Sequence, residues 1–121
     1  MEMEDNNIQV RRKAVDESRE KEPAQVCLKT YRHGAETLIA VCDCDILGRE
    51  FREGNLHIEV CPDFYGDEKA SLSEVEDALQ RATMANLVGC KVVKHAILLG
   101  WVDEENVLSI DGVLYAQMVR M

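Results

Sequence analysis

The stretch Arg81-Ala-Thr-Met-Ala-Asn-Leu-Val-Gly89 decides the predicted fold, because it closes one predicted helix and opens another. Upstream, Ser71 with Glu74 has the capping-box spacing, and so does Ser73 with Glu76, so a helix is predicted to begin there. A buried helical stripe then recurs at three- and four-residue steps, and its members are Val75, Ala78, Leu79, Ala82, Ala85 and Asn86. Gly89 is the predicted stop, and a second helix is predicted over residues 92–99 with Gly100 as its end.

Strands are predicted on both sides of these helices. Residues 26–32 and 36–42 are predicted to form a hairpin around a His33-Gly34 turn, which would pair Arg32 with Ala35. In that hairpin one face is assigned to the core, namely Val26, Leu28, Ile39 and Val41, and a second apolar face carries Cys27, Tyr31, Leu38, Ala40 and Cys42. Residues 55–61 alternate as a third strand. Asp111-Gly112 predicts a type I′ turn between two final strands, residues 107–110 and 113–119.

The predicted fold class is α+β. We expect a two-layer sandwich in the order β-β-short turn-β-α-α-β-β, with a mixed or antiparallel sheet and two helices on one face. Residues 25–121 form the predicted single domain. Residues 1–24 are predicted to be a disordered charged tail, because they hold too few large apolar side chains to offset the entropy of ordering them.

Composition and charge exclude some classes of function. The chain has 14 basic and 23 acidic residues and a net charge of -9, which excludes a uniformly basic nucleic-acid surface and leaves a local basic patch open. It has no apolar run of the ~18 residues that a membrane helix requires. Its acidic start is unlike a secretory signal, so the cytoplasm is the expected location. Five cysteines, an odd number, indicate reduced thiols rather than a disulfide framework.

The segment Arg49-Glu-Phe-Arg-Glu-Gly54 is one candidate contact surface. Arg49 and Arg52 flank Phe51 just before a predicted strand, where they could meet an anion or a partner, together with Arg81. The alternative is that Glu50 and Glu53 neutralise the two arginines in surface ion pairs.

A ligand site around His57, Asn86 and Arg81 is a second candidate. A buried asparagine must find hydrogen-bond partners, which can be a ligand or, more often, a neighbouring backbone. A cysteine paired with His33, His57 or His95 would be needed for nucleophilic catalysis, but the spacing singles out no pair. We therefore predict no catalytic residue and no cofactor.

Four cysteines form the third candidate: Cys27, Cys42, Cys44 and Cys61. Four thiolates suit structural zinc, and the side chains of Cys42 and Cys44 would point the same way along a strand. The sequence lacks the usual pair of C-x-x-C knuckles, and free cysteine is often a small buried hydrophobe. The favoured prediction is that none of the four binds metal.

Several segments together resemble an archaeal family of uncharacterised proteins, domain of unknown function 424. They are Thr37-Leu-Ile-Ala-Val-Cys-Asp43, Leu47-Gly-Arg-Glu-Phe-Arg-Glu-Gly54, Arg81 to Gly89, Val102-Asp-Glu-Glu-Asn-Val107 and Ala116-Gln117. The resemblance covers about residues 26–121. It implies an archaeal cytosolic protein with a compact α/β fold, and a link to translation or RNA as a weak expectation. It carries no established activity, so no site residue is transferred.

The leading functional prediction is a non-catalytic interaction module with Arg49, Phe51, Arg52 and Arg81 as its contact surface. Ribosome- or RNA-associated proteins are the expected partners, with no membrane and no DNA, and the oligomeric state is left open. The alternatives are a small-ligand-binding protein or enzyme built around Asn86, and a cysteine-based zinc protein.

Overall fold

The structure is a computed structural model that describes residues 23–120. Of the predicted tail it includes Pro23 and Ala24, and the remainder of that prediction lies outside the described residues. Residues 23–120 form eight strands and three helices. In chain order these are β1 (Val26–His33), β2 (Glu36–Asp43), β3 (Glu50–Glu53), β4 (Leu56–Glu59), α1 (Pro62–Tyr65), β5 (Lys69–Ala70), α2 (Leu72–Arg81), β6 (Met84–Val88), α3 (Cys90–Leu98), β7 (Leu108–Ile110) and β8 (Val113–Val119).

Six of the strands form one mixed sheet in the order β5-β1-β2-β6-β8-β7. The central pair, β2 and β6, is parallel, and the other neighbours are antiparallel. The remaining strands, β3 and β4, pair as a separate hairpin. The predicted α+β class is thus confirmed. The two-layer arrangement is not confirmed, because both faces of the sheet are covered.

Both long helices pack on one face of the sheet, which we call the helix face. Helix α2 begins with the predicted capping box, in which Ser71 Oγ accepts from the Glu74 N–H at 3.2 Å and Glu74 Oε1 accepts from the Ser71 N–H at 2.8 Å. The core beneath the helices is aliphatic and includes four of the six predicted stripe residues, Val75, Leu79, Ala82 and Ala85; Ala78 is partly buried against it, and Asn86 lies on the opposite face. The core comprises Val26, Ile39, Val41, Ala70, Val75, Leu79, Ala82, Ala85, Leu87, Val92, Val93, Ala96, Val102, Ala116 and Met118.

The β3–β4 hairpin and α1 cover the opposite face, which we call the hairpin face. Its core is richer in aromatic and sulfur-containing side chains and comprises Cys27, Ala40, Cys42, Ile46, Phe51, Val60, Tyr65, Val88 and Ile110. The second apolar face predicted for the first hairpin is therefore covered by the chain's own residues at Cys27, Ala40 and Cys42, whereas Tyr31 and Leu38 remain partly exposed.

The decisive stretch differs from its prediction, because residues 84–88 form strand β6 and not part of a helix. Helix α2 ends at Arg81, and Ala82 is extended with φ -84° and ψ 149°. Thr83 then ties the chain to β2: its N–H donates to the Thr37 carbonyl at 2.8 Å, and its Oγ1 accepts from the Thr37 N–H at 2.8 Å. Pairing with β2 and β8 on both sides satisfies the backbone of β6 and overrides the helical spacing.

The first hairpin forms with a shifted register. The turn lies at Gly34 and Ala35, so His33 pairs with Glu36, and Arg32 pairs with Thr37 rather than with Ala35. Because the shift is an even number of residues, the alternation of side chains is unchanged and the predicted faces are kept. The Asp111-Gly112 turn is confirmed, with φ of 52° and 84°.

Strand β3 is not in the predicted element order. Its charged residues concealed a four-residue strand that pairs with Leu56–Glu59, the observed extent of the strand predicted at 55–61. After β4, residues Pro62–Tyr65 form helix α1, and its Tyr65 is buried.

Candidate functional site

A cavity of about 280 Å³ opens on the hairpin face, between the tip of the β3–β4 hairpin and strands β6, β7 and β8. Its walls are aliphatic and its floor is polar; the lining residues are Leu56, His57, Ile58, Tyr65, Asn86, Leu108, Ile110 and Tyr115. We call it the tyrosine pocket. A largely apolar concavity with a few convergent polar groups is the usual form of a ligand site.

Three elements bring the polar groups of the tyrosine pocket together. Asn86 lies on the central strand β6 and is in register with Gln117 of β8, while Tyr115 lies two residues earlier on β8. Tyr65 reaches the same point from α1. Burial raises the pKa of the Tyr65 hydroxyl well above its ordinary value, so the phenol stays neutral and acts as a donor.

Hydrogen bonds join these side chains into a chain. The Tyr65 hydroxyl donates to Asn86 Oδ1 at 2.7 Å, and Asn86 Nδ2 donates to the Tyr115 oxygen at 3.2 Å. Gln117 Nε2 also donates to the Tyr115 oxygen, at 2.8 Å. Since the Tyr115 oxygen accepts from two amides, its own proton is available for a further acceptor.

The rim of the tyrosine pocket is apolar. Leu56 and Leu108 remain 43% and 46% exposed. His57 is exposed, and its Nε2 lies 3.6 Å from Glu50 Oε1. The pocket is lined by phenols, an amide, aliphatic chains and His57 of β4, and these residues include no nucleophile bonded to a base. The arrangement is suited to binding rather than to covalent chemistry.

The structure divides the ligand site predicted around His57, Asn86 and Arg81. The first two line the tyrosine pocket, but Arg81 lies at the end of α2 in a separate depression with Thr30 and Asp77. The predicted three-residue site is therefore not assembled. Tyr65 and Tyr115, which complete the observed network, were not among the predicted site residues.

The predicted contact surface around Arg49 differs from the arrangement in the structure. Phe51 is 7% exposed and belongs to the hairpin-face core, and the Arg49 guanidinium lies 5.1 Å from the centre of its ring. Arg52 is exposed on the outer side of the hairpin. The two acids predicted to neutralise these arginines have other partners: Glu50 lies beside His57, and Glu53 accepts from the Asp111 N–H at 2.6 Å.

Three of the four candidate zinc ligands lie together. Cys27 pairs directly with Cys42 across the hairpin, and its sulfur lies 4.0 Å from that of Cys44. Burial raises the pKa of Cys27 and raises that of Cys42 to about 12, which disfavours thiolates. Cys61 precedes α1. Within residues 23–120, no three histidine, cysteine or acidic side chains are placed to hold a metal ion.

The start of helix α3 is occupied by a carboxylate of the chain itself. Asp43 is 4% exposed, and its two oxygens accept from the N–H groups of Lys91 and Val92 at 2.9 and 3.0 Å. Burial raises the pKa of Asp43, although these two hydrogen bonds act in the opposite direction. Gly89 makes the approach possible, because a Cβ there would overlap the Asp43 carboxyl group. Asp43 is therefore a structural cap.

Comparisons with other proteins bear on family and fold. Residues 31–121 match the model of a family described as protein of unknown function (DUF424). A similar solved structure is that of an uncharacterized conserved protein from Methanopyrus kandleri, with 21% identity and a TM-score of 0.64 over 81% of this chain and 96% of that one. That likeness shows a shared fold. No curated protein matches the sequence. Within residues 23–120, no helix has the length and apolarity needed to cross a bilayer.

Proposed function

This chain belongs to the DUF424 family of proteins of unknown function, and on that premise we propose that it is a non-catalytic binding module whose ligand enters the tyrosine pocket. The observation that carries the proposal is the hydrogen-bonded chain of Tyr65, Asn86 and Tyr115 at the floor of an otherwise apolar cavity. A polar network at a cavity of this kind fixes the orientation of a ligand, while the apolar walls supply contact area.

The hydrogen-bond inventory supports a particular ligand chemistry. The Tyr115 hydroxyl proton and the second hydrogen of Asn86 Nδ2 are both donors, whereas Asn86 Oδ1 already accepts from Tyr65. A complementary ligand therefore presents an acceptor oxygen, such as a carbonyl or carboxylate, on a small apolar body. Leu56 and Leu108 would contact that body at the rim.

The predicted link to translation or RNA stays a prediction. Arg49 and Arg52 share their hairpin with Glu50, Glu53 and Glu59, whereas phosphate binding gains its affinity from clustered cations. A salt-sensitive mobility shift of RNA in the presence of the protein would favour the link to RNA. The absence of such a shift at low salt would contradict that link.

A fragment screen by two-dimensional NMR tests the pocket. We expect carbonyl- and carboxylate-bearing fragments to shift the side-chain amide signals of Asn86 and Gln117. Tyr115→Phe removes one donor and should weaken the best fragment about tenfold, the equivalent of one hydrogen bond. The matched control is Tyr31→Phe, since the Tyr31 hydroxyl donates to the Phe64 carbonyl at 2.6 Å, away from the pocket. Equal affinity in both variants would contradict the proposal.

A further inference from the structure

The last strand of the sheet is longer than its outer neighbour. Strand β7 has three residues and pairs with Val113, Leu114 and Tyr115 of β8, whereas β8 continues to Val119. On its other side β8 is paired with β6 as far as Val119. The outer edge of β8 after Tyr115 therefore has no neighbouring strand among the described residues.

Hydrogen bonds show which backbone groups point to this open edge. The Leu114 carbonyl accepts from the Gly89 N–H, and the Arg120 N–H donates to the Thr83 carbonyl, so these even-numbered residues face the β6 side. Because backbone groups alternate along a strand, those of Gln117 and Val119 face the opposite side. In the part of the chain that the structure describes, no group hydrogen bonds to the backbone of either residue.

A depression of about 580 Å³ lies along this edge, and we call it the edge notch. Residues 100–103 and Asn106 form one wall, and residues 115–119 form the other. Leu108 and Tyr115 line both the edge notch and the tyrosine pocket, so the two are adjacent. A strand lying in the notch would pass directly beside the pocket.

We infer that the edge notch receives an extended peptide of a partner protein, which adds to the sheet beside β8 and places one side chain in the tyrosine pocket. In this mode of recognition, main-chain hydrogen bonds to an open edge supply affinity, and a side pocket supplies specificity. The part of the inference that concerns the pocket rests on the function proposed above, whereas the part that concerns the edge rests on the unpaired groups of Gln117 and Val119.

Charge indicates which peptide fits. Asp103, Glu104 and Glu105 are exposed next to the notch, and the chain carries a net charge of -9, so a basic peptide is favoured. The cation closest in sequence, Arg120, is already paired within the chain: its guanidinium donates to the carbonyls of Leu79 and Gln80 and lies 5.1 Å from the ring centre of Trp101.

Within residues 23–120, the outer edge of β8 after Tyr115 carries no lysine, no proline and no paired strand. Proteins commonly guard an edge with lysine, proline or a covering segment. At the opposite edge of the sheet, β5 covers the start of β1, and the exposed Lys29 and Arg32 follow on β1. On β8 the exposed residues beyond Tyr115 are Gln117 and Val119; Val119 is apolar and 62% exposed. An unguarded edge is consistent with a surface used for pairing.

Selection from a random-peptide display library against the full chain tests the inference. We expect enriched peptides to combine β-branched residues with lysine or arginine. Val119→Pro deletes the outward N–H while leaving the β6 side of the strand intact, and should weaken the enriched peptides at least tenfold. Val119→Ala is the matched control, since it keeps the N–H, and it should change affinity less than about threefold. In the wild-type protein, bound peptide should slow amide exchange at Gln117 and Val119.

The outcomes separate the edge from the pocket. Peptides that bind Val119→Pro as well as wild type, or that leave exchange at Gln117 and Val119 unchanged, would overturn the inference while the pocket proposal stands. Peptides sensitive to Val119→Pro but indifferent to Tyr115→Phe would support strand addition and contradict the pocket. A failure to enrich any peptide would overturn the inference that a partner peptide binds at this edge. A wild-type dimer that Val119→Pro dissociates would also overturn it, because the edge would then pair with a second copy of the chain.

Discussion

The helix face and the hairpin face of the same sheet are built differently. The helix face is covered by two amphipathic helices over a core of valine, leucine, isoleucine and alanine, most of it fully buried, and its depression beside α2 lies at the edge of that core. The hairpin face contains tyrosines, thiols and an amide network, and it keeps an open cavity. We expect stability to be concentrated on the first face, and the proposed binding site lies on the second.

The covering elements explain this contrast. A two-stranded hairpin of four-residue strands is narrower than a six-stranded sheet, and such a hairpin is marginally stable by itself. It is held by the buried Phe51 and by the hydrogen bond from the Asp111 N–H to Glu53. The space that it leaves uncovered, between its tip and Tyr115, is the tyrosine pocket.

The largest decrease in the free energy of unfolding is expected for a substitution at Gly89, where β2, β6 and α3 meet. An alanine there would overlap the Asp43 carboxyl group and would have to hold a φ of 121°. Backbone strain and overpacking each cost roughly 1–3 kcal/mol, so Gly89→Ala should lower the free energy of unfolding by about 4 kcal/mol. Urea denaturation followed by circular dichroism measures the change.

Gly112→Ala is the control for Gly89→Ala. Its φ of 84° is also positive, but a Cβ there would meet no atom within 4 Å. The control should therefore lose about 1 kcal/mol, the cost of the backbone conformation alone. Similar losses of unfolding free energy in the two variants would show that Asp43 moves aside easily and that the region where β2, β6 and α3 meet is not rigid.

The next largest effect tests how closely the helix face is packed. Leu79 is fully buried in the core beneath α2, so Leu79→Ala should lower the free energy of unfolding by about 3 kcal/mol through lost transfer energy and a residual cavity. Leu98→Ala, at a side chain that is 81% exposed, should change it by less than about 0.5 kcal/mol. A loss below about 1 kcal/mol at Leu79 would contradict a closely packed helix face.

Signals between neighbours in sequence predicted the start of α2 and the two hairpins of the sheet better than strand β6. The capping box at Ser71, the Asp111-Gly112 turn and the alternation in β1 and β2 depend on neighbours in sequence, and all are present. Strand β6 was mistaken for helix because Ala82, Ala85 and Asn86 continue the spacing of α2. Its strand conformation depends on β2 and β8, which lie far away in sequence.

The same error concealed most of the candidate site. Asn86 and His57 were predicted to act together, and they do share the tyrosine pocket, but Arg81 belongs to the end of α2. If residues 84–88 are assigned to a strand that pairs with β8, Tyr115 and Gln117 lie on the same face of the sheet as Asn86 and are its neighbours. Tyr65 had no comparable signal, because only the folded hairpin and α1 bring it to the pocket.

The smallest expected change in the free energy of unfolding tests whether water reaches the interior of the hairpin face. Tyr65→Phe removes the donor to Asn86 Oδ1 and leaves that oxygen beside an open cavity. Water entering the cavity can replace the lost donor, so the free energy of unfolding should fall by about 1 kcal/mol, well below the loss at Leu79. Adding Asn86→Ala should reveal a coupling of about 1 kcal/mol between the two side chains in a double-mutant cycle. A loss above about 3 kcal/mol for Tyr65→Phe alone would mean that the oxygen is sealed from solvent. The Tyr65–Asn86 bond would then belong to the core, and the contrast between the two faces would disappear.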